Sequence, residues 1–117
     1  MTRAVVIFTG EGSHPLAKWL KPGFRHCAVA VQDGDSPWIL IDPAEGVPNF
    51  RIMGAHDFDL AAFYREIGET VVETVVKAEP LQWPLAMANC AGMVKAVLGL
   101  RAPLVVTPYA LYRRLTR

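Results

Sequence analysis

Between two short apolar runs, residues 24–31 and 38–41, the chain places Asp33-Gly34 inside a polar turn segment spanning 32–37. An Asp-Gly step between β-prone runs is a strong local signal for an antiparallel hairpin, because the glycine accepts a backbone conformation that other residues resist. A third apolar run, 4–8, is rich in Val and Ile and reads as a buried strand. Residues 70–77 alternate Val with Thr and Glu, which favours a strand over a helix. Helices are expected elsewhere. Residues 59–67 carry apolar positions at helical spacing with Asp59 as N-cap.

The longest helical pattern covers 85–100. There Met87, Cys90, Met93, Val94, Val97 and Leu98 fall largely on one face, and Gly99 supplies a stop. A strand-like run at 104–106 leads through Thr107-Pro108 into a terminal helix ending in Arg113, Arg114 and Arg117. Thr as cap, Pro in the first turn and basic residues in the last turn agree with one another. A single helical turn is expected at 16–20 before Lys21-Pro22-Gly23 breaks it, and 42–48 reads as irregular. The pattern is that of an α+β fold, a small antiparallel sheet packed against helices, in a single domain spanning 1–117.

Composition narrows the function classes. The 117 residues are 52% hydrophobic and 20% charged, as a folded core requires. Twelve basic and eleven acidic side chains leave a formal charge of +1, too little for a field that would gather nucleic acid or anionic lipid. No apolar stretch reaches the ~18 residues of a membrane helix, and no signal-peptide core is visible. The expectation is therefore cytoplasmic synthesis, with no nucleic acid, no membrane and no cofactor. Cys27 and Cys90 stand alone, without a Cys-x-x-Cys spacing, so neither a disulfide framework nor a structural zinc site is expected.

Cys90 lies near the beginning of the best helix, directly after Asn89. A thiol there feels the positive end of the helix dipole, which favours the thiolate. Nearby amides can also serve an oxyanion. A nucleophilic thiol needs a base, and of the three histidines His26 sits in a strand, while His14 and His56 occupy turn-like contexts. Asp42 closes the strand that pairs with the His26 strand, where its carboxylate can accept the second imidazole N–H. Cys90, His26 and Asp42 are thus candidates for nucleophile, base and orienting group, against the plain alternative of a buried Cys and an incidental strand His. Cys27 adjoins His26 and points to the opposite strand face, so it is expected to be packed and unreactive.

The runs Lys21-Pro22-Gly23-Phe24-Arg25-His26-Cys27-Ala28-Val29-Ala30-Val31 and Trp38-Ile39-Leu40-Ile41-Asp42-Pro43, with Asn89-Cys90-Ala91-Gly92-Met93-Val94, carry a resemblance. They resemble the His-bearing hairpin and the Cys-bearing helix start of lecithin:retinol acyltransferase-type proteins. Those form the circularly permuted branch of the papain-like superfamily, related to NlpC-type cell-wall peptidases. The resemblance covers about a third of the chain. It implies a permuted papain-like fold, His26 as base, Asp42 as orienting residue and Cys90 as nucleophile. It implies attack on an amide carbonyl, in a peptide or peptidoglycan-like substrate, through a thioacyl intermediate. The Cys90 amide would serve the oxyanion, with Gln82 as second donor unless Gln82 is an ordinary surface residue.

Many acyltransferase members have His where this chain has Asp42, and the apolar tail of the lipid-acting members is missing, which argues against a lipid substrate. The segment from Leu104 to Leu115 loosely resembles the tails of small phage-encoded proteins of the same superfamily. The rival function is accordingly a non-catalytic structural or binding module, such as a virion tail or connector component. In that case the terminal helix, with Leu111, Tyr112 and Leu115, would dock a protein partner; otherwise it covers its own core. Trp19, Trp38 and Trp83 either line a cleft or fill core. Asp57 and Asp59 beside His56 would suit a metal or, more simply, a capped helix start.

Overall fold

A computed structural model describes residues 2–10, 23–24, 26–42, 49–76, 90–100, 102 and 104–117. Among the described residues, five strands and three helices follow the order β1 (Thr2–Thr9), β2 (His26–Asp33), β3 (Ile39–Asp42), β4 (Asn49–Ile52), α1 (Leu60–Glu66), β5 (Thr70–Val75), α2 (Cys90–Leu98) and α3 (Pro108–Leu115). The fold is α+β, and the strands form one sheet in the order β4-β3-β2-β1-β5, antiparallel at every pairing. The first four strands make a meander. The chain then passes through α1 to add β5 on the far side of β1.

β1 has a neighbour on each side and is buried on both faces, which explains its unbroken apolar run. Ala4, Val6 and Phe8 meet Cys27 and Val29 of β2 on one face, beneath α2 and α3. Val5 and Ile7 join Ala28, Ala30, Trp38 and Leu40 on the other face, with Leu60 and Ala61 of α1. The two-residue period of a strand thus sorts the sequence into two cores, one per face.

The β2–β3 hairpin turns at Gly34, whose φ of 56° lies in the left-handed region that the Asp-Gly step anticipates. The Ser36 amide closes the turn by donating to the Asp33 carbonyl at 2.9 Å. Asp59 caps α1, accepting from the Ala62 amide at 3.0 Å. Thr107 does the same for α3 through the Ala110 amide at 3.2 Å, with Pro108 as the first helical residue. α2 ends at Gly99 with φ of 71°. The Leu100 amide bonds the Lys95 carbonyl and the Gly99 amide bonds that of Ala96, a paired arrangement that satisfies carbonyls a helix end would leave open.

Two sequence readings change, and two alternatives left open are decided. Asn49–Ile52 forms β4, a strand that the neighbouring prolines and glycine concealed; all four of its residues are exposed, so no buried face marked it in the pattern. Residues 104–106 form no strand: Leu104 is 91% exposed, and the Val105 amide bonds the Ala102 carbonyl in a turn. The apolar residues of α3 face inward, with Leu111 fully buried and Tyr112 and Leu115 packed on the same core, so they cover their own protein. Phe8, Phe24, Tyr109 and Tyr112 form an aromatic group there with centroid separations of 4.9–6.4 Å. Trp38 is buried and donates its indole N–H to the Phe58 carbonyl at 2.9 Å, a core role. The helical turn at 16–20, the segment 43–48, the helix start at 85–89 with Met87 and Asn89, and Lys77, His14, Trp19 and Trp83 lie outside the described residues. Among the described residues, no helix is long and apolar enough to cross a membrane.

Candidate active site

His26 is the first residue of β2 and Asp42 the last of β3. In the hairpin register Val29 faces Ile41 and Ala30 faces Leu40. One further step sets Asp42 opposite Ala28, so Asp42 lies diagonal to His26 on the same face of the sheet. Diagonal neighbours across an antiparallel pair are within reach of a long or ring side chain. The imidazole bridges that gap, its Nε2 lying 2.7 Å from Asp42 Oδ1. The imidazole is about one-fifth exposed and the carboxylate about two-fifths. The contact is short and charge-assisted once the ring is protonated.

Cys90 is the first described residue of α2 and packs against the core beneath it while keeping partial exposure. Its sulfur meets three groups: the thiol and backbone N–H of Cys27, and the imidazole of His26. With Nε2 committed to Asp42, the other ring nitrogen, Nδ1, is the one left for the sulfur. The chain order His, Asp, Cys therefore converges at one end of β2.

The electrostatics follow from these contacts. The Cys90 thiol falls from 9.0 to about 5. The largest cause is the hydrogen bond from the Cys27 thiol; burial opposes it, and the His26 side chain and the Cys27 amide add to it. His26 rises from 6.5 to about 9, chiefly through its bond to Asp42 and next through Cys90, against the opposing effect of burial. Burial pushes Cys27 well above 9.0, so of the two touching thiols Cys27 keeps its proton and donates it. Between about pH 5 and 9 the site is a thiolate beside an imidazolium.

Cys27 is fully buried, as the strand alternation predicts. Sequence reasoning missed that it also touches Cys90. The alternation places Cys27 on the face that α2 covers, but which residue of α2 lands on it is a matter of helix docking, which no local pattern encodes. Gln82 lies outside the described residues. His56 stands apart from the site: its carbonyl accepts from Arg3 at 2.9 Å on the α1 side. The neighbouring Asp59 is engaged as the cap of α1. Comparison of the chain with family models, with curated proteins and with solved structures gives no match.

Proposed function

We propose that the protein is a cysteine-dependent hydrolase or amidase of the permuted papain-like kind, with Cys90 as nucleophile, His26 as proton carrier and Asp42 as the group that orients His26. The observation that carries this reading is the convergence of a depressed thiol and an imidazole whose far nitrogen is held at 2.7 Å by a carboxylate. Nucleophile, base and orienting group are the recurring parts of covalent acyl transfer. The motif resemblance points the same way.

In this reading the Cys90 thiolate attacks the carbonyl carbon of an amide, and the C=O π pair moves to oxygen. The Cys90 backbone N–H would serve that oxyanion. The tetrahedral centre collapses as the C–N bond breaks, and the leaving amine takes the proton held by His26. Neutral His26 then accepts a proton from water as its oxygen attacks the thioester. The acid leaves and the thiolate–imidazolium pair returns. Asp42 keeps the ring oriented throughout. The substrate class is an amide in a peptide or peptidoglycan-like fragment.

The test is accumulation of the acyl-enzyme. Incubation with a p-nitrophenyl ester, read by intact mass and peptide mapping, should place one acyl group on Cys90, none on Cys27, and none at all in Cys90→Ala. His26→Ala should slow both formation and release. An unmodified Cys90 would leave a binding or structural role as the better account.

A further inference from the structure

The amide chemistry uses Cys27 only as a donor to the Cys90 sulfur, yet a second thiol in contact with a thiolate is itself a reactive arrangement. The two differ in access and protonation. Cys27 is fully buried under α2 and protonated, whereas Cys90 keeps partial exposure beside His26. An oxidant from solvent therefore meets Cys90 first, and Cys27 waits behind it. That order is what an attacking and a resolving cysteine require. The two residues belong to different elements, β2 and α2, which pack directly on one another. A bond between them would tie the helix to the strand.

We propose that Cys90 and Cys27 form a hydroperoxide-responsive thiol pair, in which oxidised Cys90 is captured by Cys27 as a reversible intramolecular disulfide. In the first step the Cys90 thiolate attacks the outer oxygen of a hydroperoxide. An S–O bond forms, the O–O bond breaks, and the departing alkoxide or hydroxide takes the proton of the His26 imidazolium. Cys90 is now a sulfenic acid, oxidised by two electrons, and the peroxide is reduced to an alcohol or water. In the second step the Cys27 sulfur attacks the sulfenic sulfur. The S–S bond forms, the S–O bond breaks, and the hydroxide leaves as water with the Cys27 proton. Two thiols and one hydroperoxide become one disulfide, one alcohol and one water. A dithiol reverses the change by exchange. While the disulfide stands, the nucleophile is masked and shielded from the irreversible sulfinic acid.

The inference rests on Cys90 being the reactive thiolate of the proposed function, but not on amide hydrolysis. The experiment treats the reduced protein with a small excess of hydrogen peroxide. The reaction is quenched, remaining thiols are alkylated under denaturing conditions, and non-reducing peptide maps are compared with intact masses. The expected wild-type product has lost two hydrogens, joins the peptides holding Cys27 and Cys90, resists alkylation at both sites, and reverts with dithiothreitol. Cys27→Ser should instead gain oxygen at Cys90, trapped by dimedone at low peroxide and passing to sulfinic acid at higher peroxide. The wild-type map decides the matter even if that variant folds poorly.

Oxygen on Cys90 with Cys27 still open to alkylation overturns the proposal, as does a disulfide joining two Cys90 residues of different molecules, or no oxidation at all. Failure here with rapid acylation of Cys90 leaves the hydrolase reading intact. The disulfide without acylation does the reverse.

Discussion

His26 stands between two partners that pull its proton in one direction, since both the Asp42 carboxylate and the Cys90 thiolate favour the charged ring. The sign for stability follows residue by residue. The folded pKa of His26 is raised from 6.5 to about 9, so its contribution is complete below 6.5 and is lost as pH rises through about 9. The folded pKa of Cys90 is depressed from 9.0 to about 5, so its contribution is complete above 9.0 and is lost as pH falls through about 5. Between 6.5 and 9 the folded and unfolded chains hold the same number of protons on the pair. Its contribution should be flat there and should decline from pH 6.5 to 5, which urea unfolding at stepped pH would register. Asp42→Asn should lower the His26 pKa while leaving the fold in place, as NMR titration of the ring would show. An unmoved His26 titration in that variant would mean that the 2.7 Å contact does not govern the ring.

At the scale of elements, the caps and the core faces make separate predictions. Thr107→Ala removes the side-chain acceptor for the Ala110 amide at the start of α3 and should cost about 1 kcal/mol. Leu111→Ala empties a fully buried position where α3 meets the sheet and should cost about 2–5 kcal/mol in denaturant titration. Both numbers test whether α3 belongs to the core rather than to a partner. A Leu111→Ala variant as stable as wild type would contradict the packing seen here. Local chemistry made much of this legible from sequence: Asp59 and Thr107 as caps, Gly99 as the stop of α2, and Gly34 as the hairpin corner. β4 escaped because an exposed strand has no buried face to write a period into the sequence. The run at 104–106 misled for the opposite reason: Leu and Val favour strands, but no neighbouring strand pairs with them among the described residues.

Across the whole molecule the sheet order sets a gradient of protection. β1 lies inside the sheet, paired on both sides and buried on both faces, whereas β4 is an edge strand with all of its residues exposed. Native-state hydrogen exchange should therefore find the slowest amides in β1 and the fastest strand amides in β4. The same topology makes the candidate site. β2 lies between β1 and β3, so His26 is fixed by the interior of the sheet, and Asp42 arrives from the adjoining hairpin strand. The hairpin signal made an approach from the adjoining strand readable in advance, and the observed register fixes where along β3 it happens. The docking of α2, which sets Cys90 against both Cys27 and His26, is a long-range packing result and was carried in sequence only by the order and types of the residues.

The neighbours of Cys90 make it a thiolate at neutral pH. Site-resolved iodoacetamide labelling of wild type and His26→Ala across pH 4 to 10 tests it most directly (the range brackets the shifted values of about 5 and about 9). Cys90 should label rapidly at pH 6, far ahead of the buried Cys27, with a midpoint near 5. In His26→Ala that midpoint should move upward and labelling at pH 6 should slow. A Cys90 that labels slowly at pH 6, and alike in both proteins, would contradict the account.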